Sequence, residues 1–277
     1  MLIWGIVLSS QRIDSLTQEI MEHKEQTDMG GVRESFLTTH WSLIEGIKKH
    51  QDKDQALIGL LLERYWKPVY CYLRRKGYPN EEAKDLTQGF FHEIVLSRCM
   101  IERTDPSKGR FRWFLLHSLG QFLIDQRRKG SARTRIPNDK LVPFDMSDPP
   151  VLPQTILERS AEDCFAYTWK SELVDRTLSE VQAECQEQGL QTHWQIFRDK
   201  VLLPTLENRP SQPMKAIGAR YGVASESRAF NMLLTVKRRF RAALRRNLAN
   251  TVLARDDVDE EWRDLLRFLG EHEQKSG

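Results

Sequence analysis

No two cysteines in this 277-residue chain stand at redox or metal-ligand spacing. The four, Cys71, Cys99, Cys164 and Cys185, lie far apart, with no CxxC pair and no histidine nearby at ligand distance. That argues against a zinc or thiol-redox site and predicts reduced core thiols in a cytoplasmic protein, with no metal and no cofactor. Long apolar runs are missing too. The run at residues 2–8 is too short to span a bilayer, and it lacks the charged lead and small-residue cleavage site of a secretory signal. There is no phosphate loop, no HExxH and no nucleophile setting around a Ser or Cys; His92-Glu93 is the kind of adjacency that seven histidines produce by chance. An enzyme is therefore not expected. Neither charge sign dominates, the net being +3, and 40% apolar with 29% charged residues is ordinary globular composition. Residues 1–35 carry no periodic pattern and are assigned no function; Met29 is a candidate start.

What the chain does have is concentrated in two places. In residues 80–129, Leu86, Phe90 and Ile94, with Ala83 and Phe91 on a neighbouring row, recur at three- and four-residue spacing, which predicts a helix burying one wide face. Asp85, Gln88, His92 and Glu93 are left outside. A turn at 105–109 (Asp-Pro-Ser-Lys-Gly) follows. A second helix then interleaves Arg110, Arg112, Arg127, Arg128 and Lys129 with Phe111, Trp113, Phe114 and Phe122, a mixture suited to holding phosphates while stacking on unpaired bases.

The run EEAKDLTQGFF followed by GRFRWFLLHSLGQFLIDQRRK resembles region 2 of an extracytoplasmic-function (ECF) sigma factor of the sigma-70 family. The resemblance implies that Asp85, Leu86, Gln88 and Phe91 dock on the clamp of core RNA polymerase. It also implies that Phe114, Gln121, Asp125, Arg127 and Arg128, beside Arg112 and Trp113, face the minus-ten promoter element. Gly89 and Gln121 stand where that family more often has an acidic residue and an asparagine.

Before this stretch, residues 42–76 keep a helical period in two segments, Leu43, Ile44 and Ile47, then Leu57, Leu60, Leu61, Tyr65, Val69 and Leu73. They read as scaffold helices, and Trp41, Tyr65, Trp66, Tyr70 and Tyr72 read as core rather than as a base-stacking platform. After it, Pro137, Pro143, Pro149, Pro150 and Pro153 mark an extended, stiffened linker.

The second concentration lies beyond. Phe165, Trp169, Leu173, Val174, Leu178 and Val181 share a helix face, and a polar stretch around Gly189 reads as a long connection. PMKAIGARYGVASESRAFNMLLTVKRRFRAALRR then reads as a helix-turn-helix: Pro213 at a helix start, Ala216, Ile217 and Tyr221 inward, Gly222 in the turn, Ser225 as N-cap. Ala229, Met232, Leu233, Val236, Phe240 and Leu244 form the next helix's buried stripe, so Ser227, Arg228, Asn231, Thr235 and Arg238 are offered to DNA beside the cap Ser225, with Arg238, Arg239 and Arg241 further along expected to contact backbone phosphates. Over residues 211–250 the basic residues Lys215, Arg220, Arg228, Lys237, Arg238, Arg239, Arg241, Arg245 and Arg246 face Glu226 alone, which favours a polyanion. This segment resembles region 4 of the same family, which reads the minus-thirty-five element. The tail is acidic, with Trp262, Leu265, Leu266 and Leu269 marking one amphipathic helix that packs on the second domain.

The expected fold is all-α: an extension at 1–35, a sigma region 2-like helical domain at 36–130, a Pro-rich linker at 131–164, a sigma region 4-like helix-turn-helix domain at 165–252 and an acidic amphipathic tail at 253–277. The resemblance implies core RNA polymerase and promoter DNA as partners, with an anti-sigma factor or other regulator as a further candidate, and no membrane or small-molecule substrate. The alternative is a helix-turn-helix regulator that binds DNA without docking on polymerase.

Overall fold

The computed structural model describes residues 54–96, 111–128, 150, 152, 154–207, 209–251 and 255–271. Outside them lie the extension at 1–35, Trp41 and the first scaffold segment, Cys99, the turn at 105–109, Arg110, Lys129 and most of the Pro-rich stretch. Every regular element among the described residues is helical, as the periodicity predicts. They fall into two compact units, one reaching up to Asp175 and taking in Leu248–Asp257, the other holding Arg176–Asn247 and the residues from Val258 on.

The upstream unit is built on α1 (Asp54–Arg75), α2 (Asn80–Leu96), α3 (Phe111–Arg128), the single turn α4 (Gln154–Leu157) and the first half of α5 (Ala161–Glu187). In α1 the four-residue row Tyr65, Val69 and Leu73 is buried. The chain reverses after Arg75 because Gly77 takes φ 96°, which costs glycine nothing, and the Tyr78 and Gly77 amides close back on the Leu73 and Arg74 carbonyls. The Tyr70 hydroxyl donates to Asn80 Oδ1 at 2.7 Å, pinning the start of α2. Tyr65 meets the Phe111 ring edge-on at 5.2 Å and Phe90 meets Phe122 at 5.7 Å, joining α3 to the pair. Trp66, Tyr70 and Tyr72 are core residues.

The first half of α5 runs antiparallel to α1. Contacts step down one helix as they step up the other: Lys67 to Glu172 at 2.8 Å, Tyr72 to Glu162 at 3.4 Å, and Arg75 Nε to the Arg159 carbonyl at 2.6 Å. Between these rungs Cys71 is buried against Thr168, and burial pushes its thiol up to about 12. Residues 161–175 thus pack with the upstream helices, whereas the sequence placed a new domain from 165; the division falls between Asp175 and Arg176, inside α5. Composition marks a Pro-rich stretch, but which side a following helix packs on is decided by partners about a hundred residues away.

The downstream unit continues with the second half of α5. Only Gln188–Leu190 separates α5 from α6 (Gln191–Phe197), a shorter connection than the polar sequence suggests. Gly189 at φ 69° makes the tight turn, with the Leu190 amide bonded to the Cys185 carbonyl at 2.7 Å. Helix α6 passes through a π-helical turn, Arg198–Leu202, into α7 (Leu203–Leu206). Then come α8 (Met214–Arg220), α9 (Glu226–Ala249) and α10 (Arg255–Glu271). Trp194, Phe197 and Phe240 stack in the core at centroid distances of 5.5 and 6.5 Å; each such side chain contributes about 1.5–3 kcal/mol by leaving water. Asn247 Nδ2 donates to Thr177 Oγ1 and Glu180 Oε2, and Arg246 pairs with Glu180, which locks α9 to α5.

Candidate nucleic-acid interface

The α8–α9 pair is a helix-turn-helix whose local geometry follows from a few residues. Pro213, at φ −57° and ψ 143°, delivers the chain to α8 without joining it. Met214, Ile217 and Gly218 face inward, while Ala216, expected inside, is exposed. The inward row is 214, 217, 218 and 221, and position 216 falls off it. A Cβ on Gly218 would lie 3.2 Å from the Val223 carbonyl and 3.3 Å from Ala229 Cβ, so its bare backbone sets how closely α8 approaches α9. Gly222 at φ 70° turns the chain, and the Val223 amide bonds the Gly218 carbonyl at 2.9 Å. Ser225 is the N-cap the sequence suggests: its Oγ accepts from the Arg228 amide at 3.3 Å.

Along α9, Ala229, Leu233, Val236, Phe240 and Leu244 are buried and Met232 is half-buried, as the stripe predicts. Ser225, Ser227, Arg228, Asn231 and Arg238 are exposed together on the other side, with Thr235 half-buried, its hydroxyl donating to the Asn231 carbonyl at 2.9 Å. Arg239 is half-buried. Beside this helix the His193 imidazole has its pKa lowered, by burial first and then by the charges of Arg239 and Arg228, the sign expected in a positive field. Burial, with Lys200 nearby, likewise lowers the pKa of Lys237.

Arg241, counted among the phosphate contacts, has a second neighbour. Its guanidinium and that of Arg245 each lie 5.7 Å from the ring of Trp262 on α10, and Arg245 also pairs with Asp259 at 2.5 Å. Trp262 and Leu265 are buried and Leu266 is half-buried, so this face of the acidic tail helix packs on the unit, and Trp262 lies against the far end of the basic run.

Sequence reasoning missed the group that braces the turn. Asp199, buried in the π-helical segment, accepts from the Tyr221 hydroxyl at 2.6 Å, from Arg220 Nη1 at 2.6 Å and from Arg198 Nε at 3.1 Å. Burial alone would raise its pKa, but the hydrogen bonds from Tyr221, Arg198 and Arg220 outweigh it and hold the carboxyl below its usual range. Arg220 also reaches Gln212 at 2.9 Å, and Lys200 Nζ donates to the Gln212 carbonyl at 2.7 Å. The last residue of α8 and the first of the turn are thereby tied to a helix that precedes them by some twenty residues.

In the upstream unit, Asp85 is exposed and Leu86 and Gln88 are half-exposed on α2, while Phe91 is fully buried and packs beside Phe90 at 5.3 Å. On α3, Trp113, His117, Gln121, Asp125 and Arg128 recur every three or four residues and are all exposed, with Trp113 at 56%. Arg127 is exposed beside them, its Nη2 3.5 Å from the Tyr78 hydroxyl, and Phe114 is half-buried, its ring 5.9 Å from Phe111. Arg112 departs from the expected DNA-facing set. It is 7% exposed, and its guanidinium stands 4.9 Å over the ring of Trp169 on α5. A helix not adjacent in sequence covers it, so its charge serves packing within the unit.

Among the described residues no helix is long and apolar enough to cross a membrane, and no group of three or more His, Cys, Asp and Glu is placed to hold a metal ion. Compared with protein-family models, curated proteins and solved structures, the chain matches none.

Proposed function

We propose that this chain is a sigma factor of the ECF type, acting in the cytoplasm, which binds core RNA polymerase and directs it to promoters without catalysing a reaction of its own. The observation that carries the reading is the helix-turn-helix of α8 and α9, whose capped second helix exposes Ser227, Arg228, Asn231 and Arg238 together. A helix presenting Arg and Asn near its N-terminus has the donors and acceptors to read guanine and adenine edges in a major groove. That helix is the candidate for the minus-thirty-five element.

The exposed row of α3 supports the second half of the reading. Trp113 supplies a stacking face, Gln121 and Asp125 supply hydrogen-bonding groups, and Arg127 and Arg128 supply charge, which together suit an unpaired minus-ten strand. Asp85 and Gln88 on α2 are the candidate polymerase contacts; Phe91, being buried, acts by holding α2 in place. The test is to mix the purified protein with bacterial core RNA polymerase, isolate the complex by size exclusion and assay run-off transcription on genomic fragments. A stable complex that initiates at defined points is the expected result.

A regulator that binds operator DNA without polymerase is the second reading. The burial of Arg112 and Phe91 favours it, since both leave the upstream unit with fewer outward groups than the resemblance implies. DNA binding with no polymerase complex would select it.

A further inference from the structure

Helix α9 carries one side chain that neither its buried stripe nor its polar face accounts for. Phe230 is 47% exposed in the second turn of α9. It falls off the buried row of Ala229, Leu233 and Val236, with exposed Ser227 one turn before it and exposed Asn231 next in sequence, while Arg228, two positions back, lies round the helix on another side. Leaving a large aromatic half in water on a basic, polar helix face forgoes much of the 1.5–3 kcal/mol or so that its burial would give. Replacing it with a polar residue would cost the fold little.

We infer that Phe230 is a specificity-determining residue that packs on the 5-methyl group of a thymine in the major groove. This rests on the reading of α9 as the DNA-reading helix, which the sigma-factor and regulator readings share. The major-groove edge of DNA offers one apolar group, the thymine methyl, and aromatic or small apolar side chains are what read it. The neighbours fit that setting. Exposed Ser227 lies one turn before Phe230, exposed Asn231 beside it carries groups suited to adenine, and Ser225 caps the helix end that would enter the groove. Phe230 would then add a thymine beside the bases its neighbours select. Burying one methyl corresponds to a preference of about fourfold for thymine over the same pairing without the methyl.

The experiment starts with the full-length protein and selection of a preferred duplex from a random library. Each thymine of that duplex is then replaced in turn by deoxyuridine, which removes the methyl and keeps the pairing. Wild type should lose about fourfold at one thymine. Phe230→Ala should bind the thymine and deoxyuridine duplexes equally there, while keeping wild-type helical content and its preference at neighbouring base pairs; Phe230→Leu should keep part of the methyl effect. If wild type ignores every deoxyuridine, or Phe230→Ala retains the discrimination, Phe230 does not read thymine. Phe230→Ala that changes only self-association would assign the ring to a second copy of the chain and overturn the inference. Failure to select any duplex would overturn the DNA-reading assignment of α9 itself, a result distinguishable from the others.

Discussion

The Tyr221 hydroxyl donates to Asp199 Oδ2 at 2.6 Å, so the first residue of the turn between α8 and α9 is held by a carboxylate buried in a π-helical segment. π-Helical turns are rare because they widen the helix and weaken its ladder. Here the segment carries Asp199, the acceptor shared by Arg198, Arg220 and Tyr221.

Removing that acceptor should loosen the turn. Asp199→Ala is expected to destabilise the downstream unit by about 1–2 kcal/mol, the net worth of hydrogen bonds to a buried carboxylate whose donors Arg198 and Arg220 are half exposed and can turn to water, with Tyr221→Phe costing about 1 kcal/mol. Denaturant unfolding of both single variants and the double variant checks this. Additive losses would mean that the two side chains do not interact.

The same carboxylate sets an acid limit. Its folded-state pKa is depressed, so its stabilising contribution is present above the ordinary aspartate value of about 4 and is lost as pH falls through the lower folded value. Thermal melts of wild type and Asp199→Asn should therefore differ most at neutral pH and converge below about pH 4. A gap that persists unchanged into acid would mean that the ionised form is not what stabilises.

Gly218→Ala sets two effects against each other. A mid-helix alanine gains about 0.5–1 kcal/mol of helix stability, but its Cβ would press on the Val223 carbonyl and Ala229 Cβ, at 3.2 and 3.3 Å. Overpacking typically costs 1–3 kcal/mol or so, so a net loss of about 1 kcal/mol is expected, with weaker DNA binding. A higher melting temperature for the variant would show that α8 and α9 separate easily.

Base reading and phosphate holding should part along α9. Arg228→Ala is expected to cost about 1–3 kcal/mol on a preferred duplex and to flatten preference among sites. Arg238→Ala, two to three turns further on, should weaken all duplexes alike and lower the salt slope by about one. Titrations at several salt concentrations separate the two; equal losses for Arg228→Ala on specific and random DNA would remove it from the reading face.

On α2, Asp85→Ala should leave helical content and the melting midpoint within about 0.5 kcal/mol of wild type, since Asp85 is exposed, and should reduce binding to core polymerase. Unfolding of the variant would make Asp85 structural.

What could be read from the sequence was whatever rests on short spacing. The α9 stripe, the Ser225 cap and the turn at Gly222 involve residues within a few positions of one another, and the structure has them as expected. Arg112 looked like a DNA contact because α3 alone leaves it on a basic face; Trp169, from α5, is what covers it. Asp199 gave no signal, since its partners Arg220 and Tyr221 lie beyond an intervening turn and proline-containing loop. Phe230 could have been found by asking which apolar residue falls off the row of 229, 233, 236 and 240.

The rungs between α1 and α5 also bear on how the chain is made. Lys67 waits for Glu172, 105 residues later, so the upstream unit cannot close while the ribosome is still translating the Pro-rich stretch. Until α5 emerges, the faces of Tyr72, Cys71 and Arg112 that it covers stay open to water and to other nascent chains. A recombinant fragment ended at residue 130 would be fixed in that half-built condition, and one carried through Asp175 would gain the covering half of α5 while still lacking Leu248–Asp257 of the same unit.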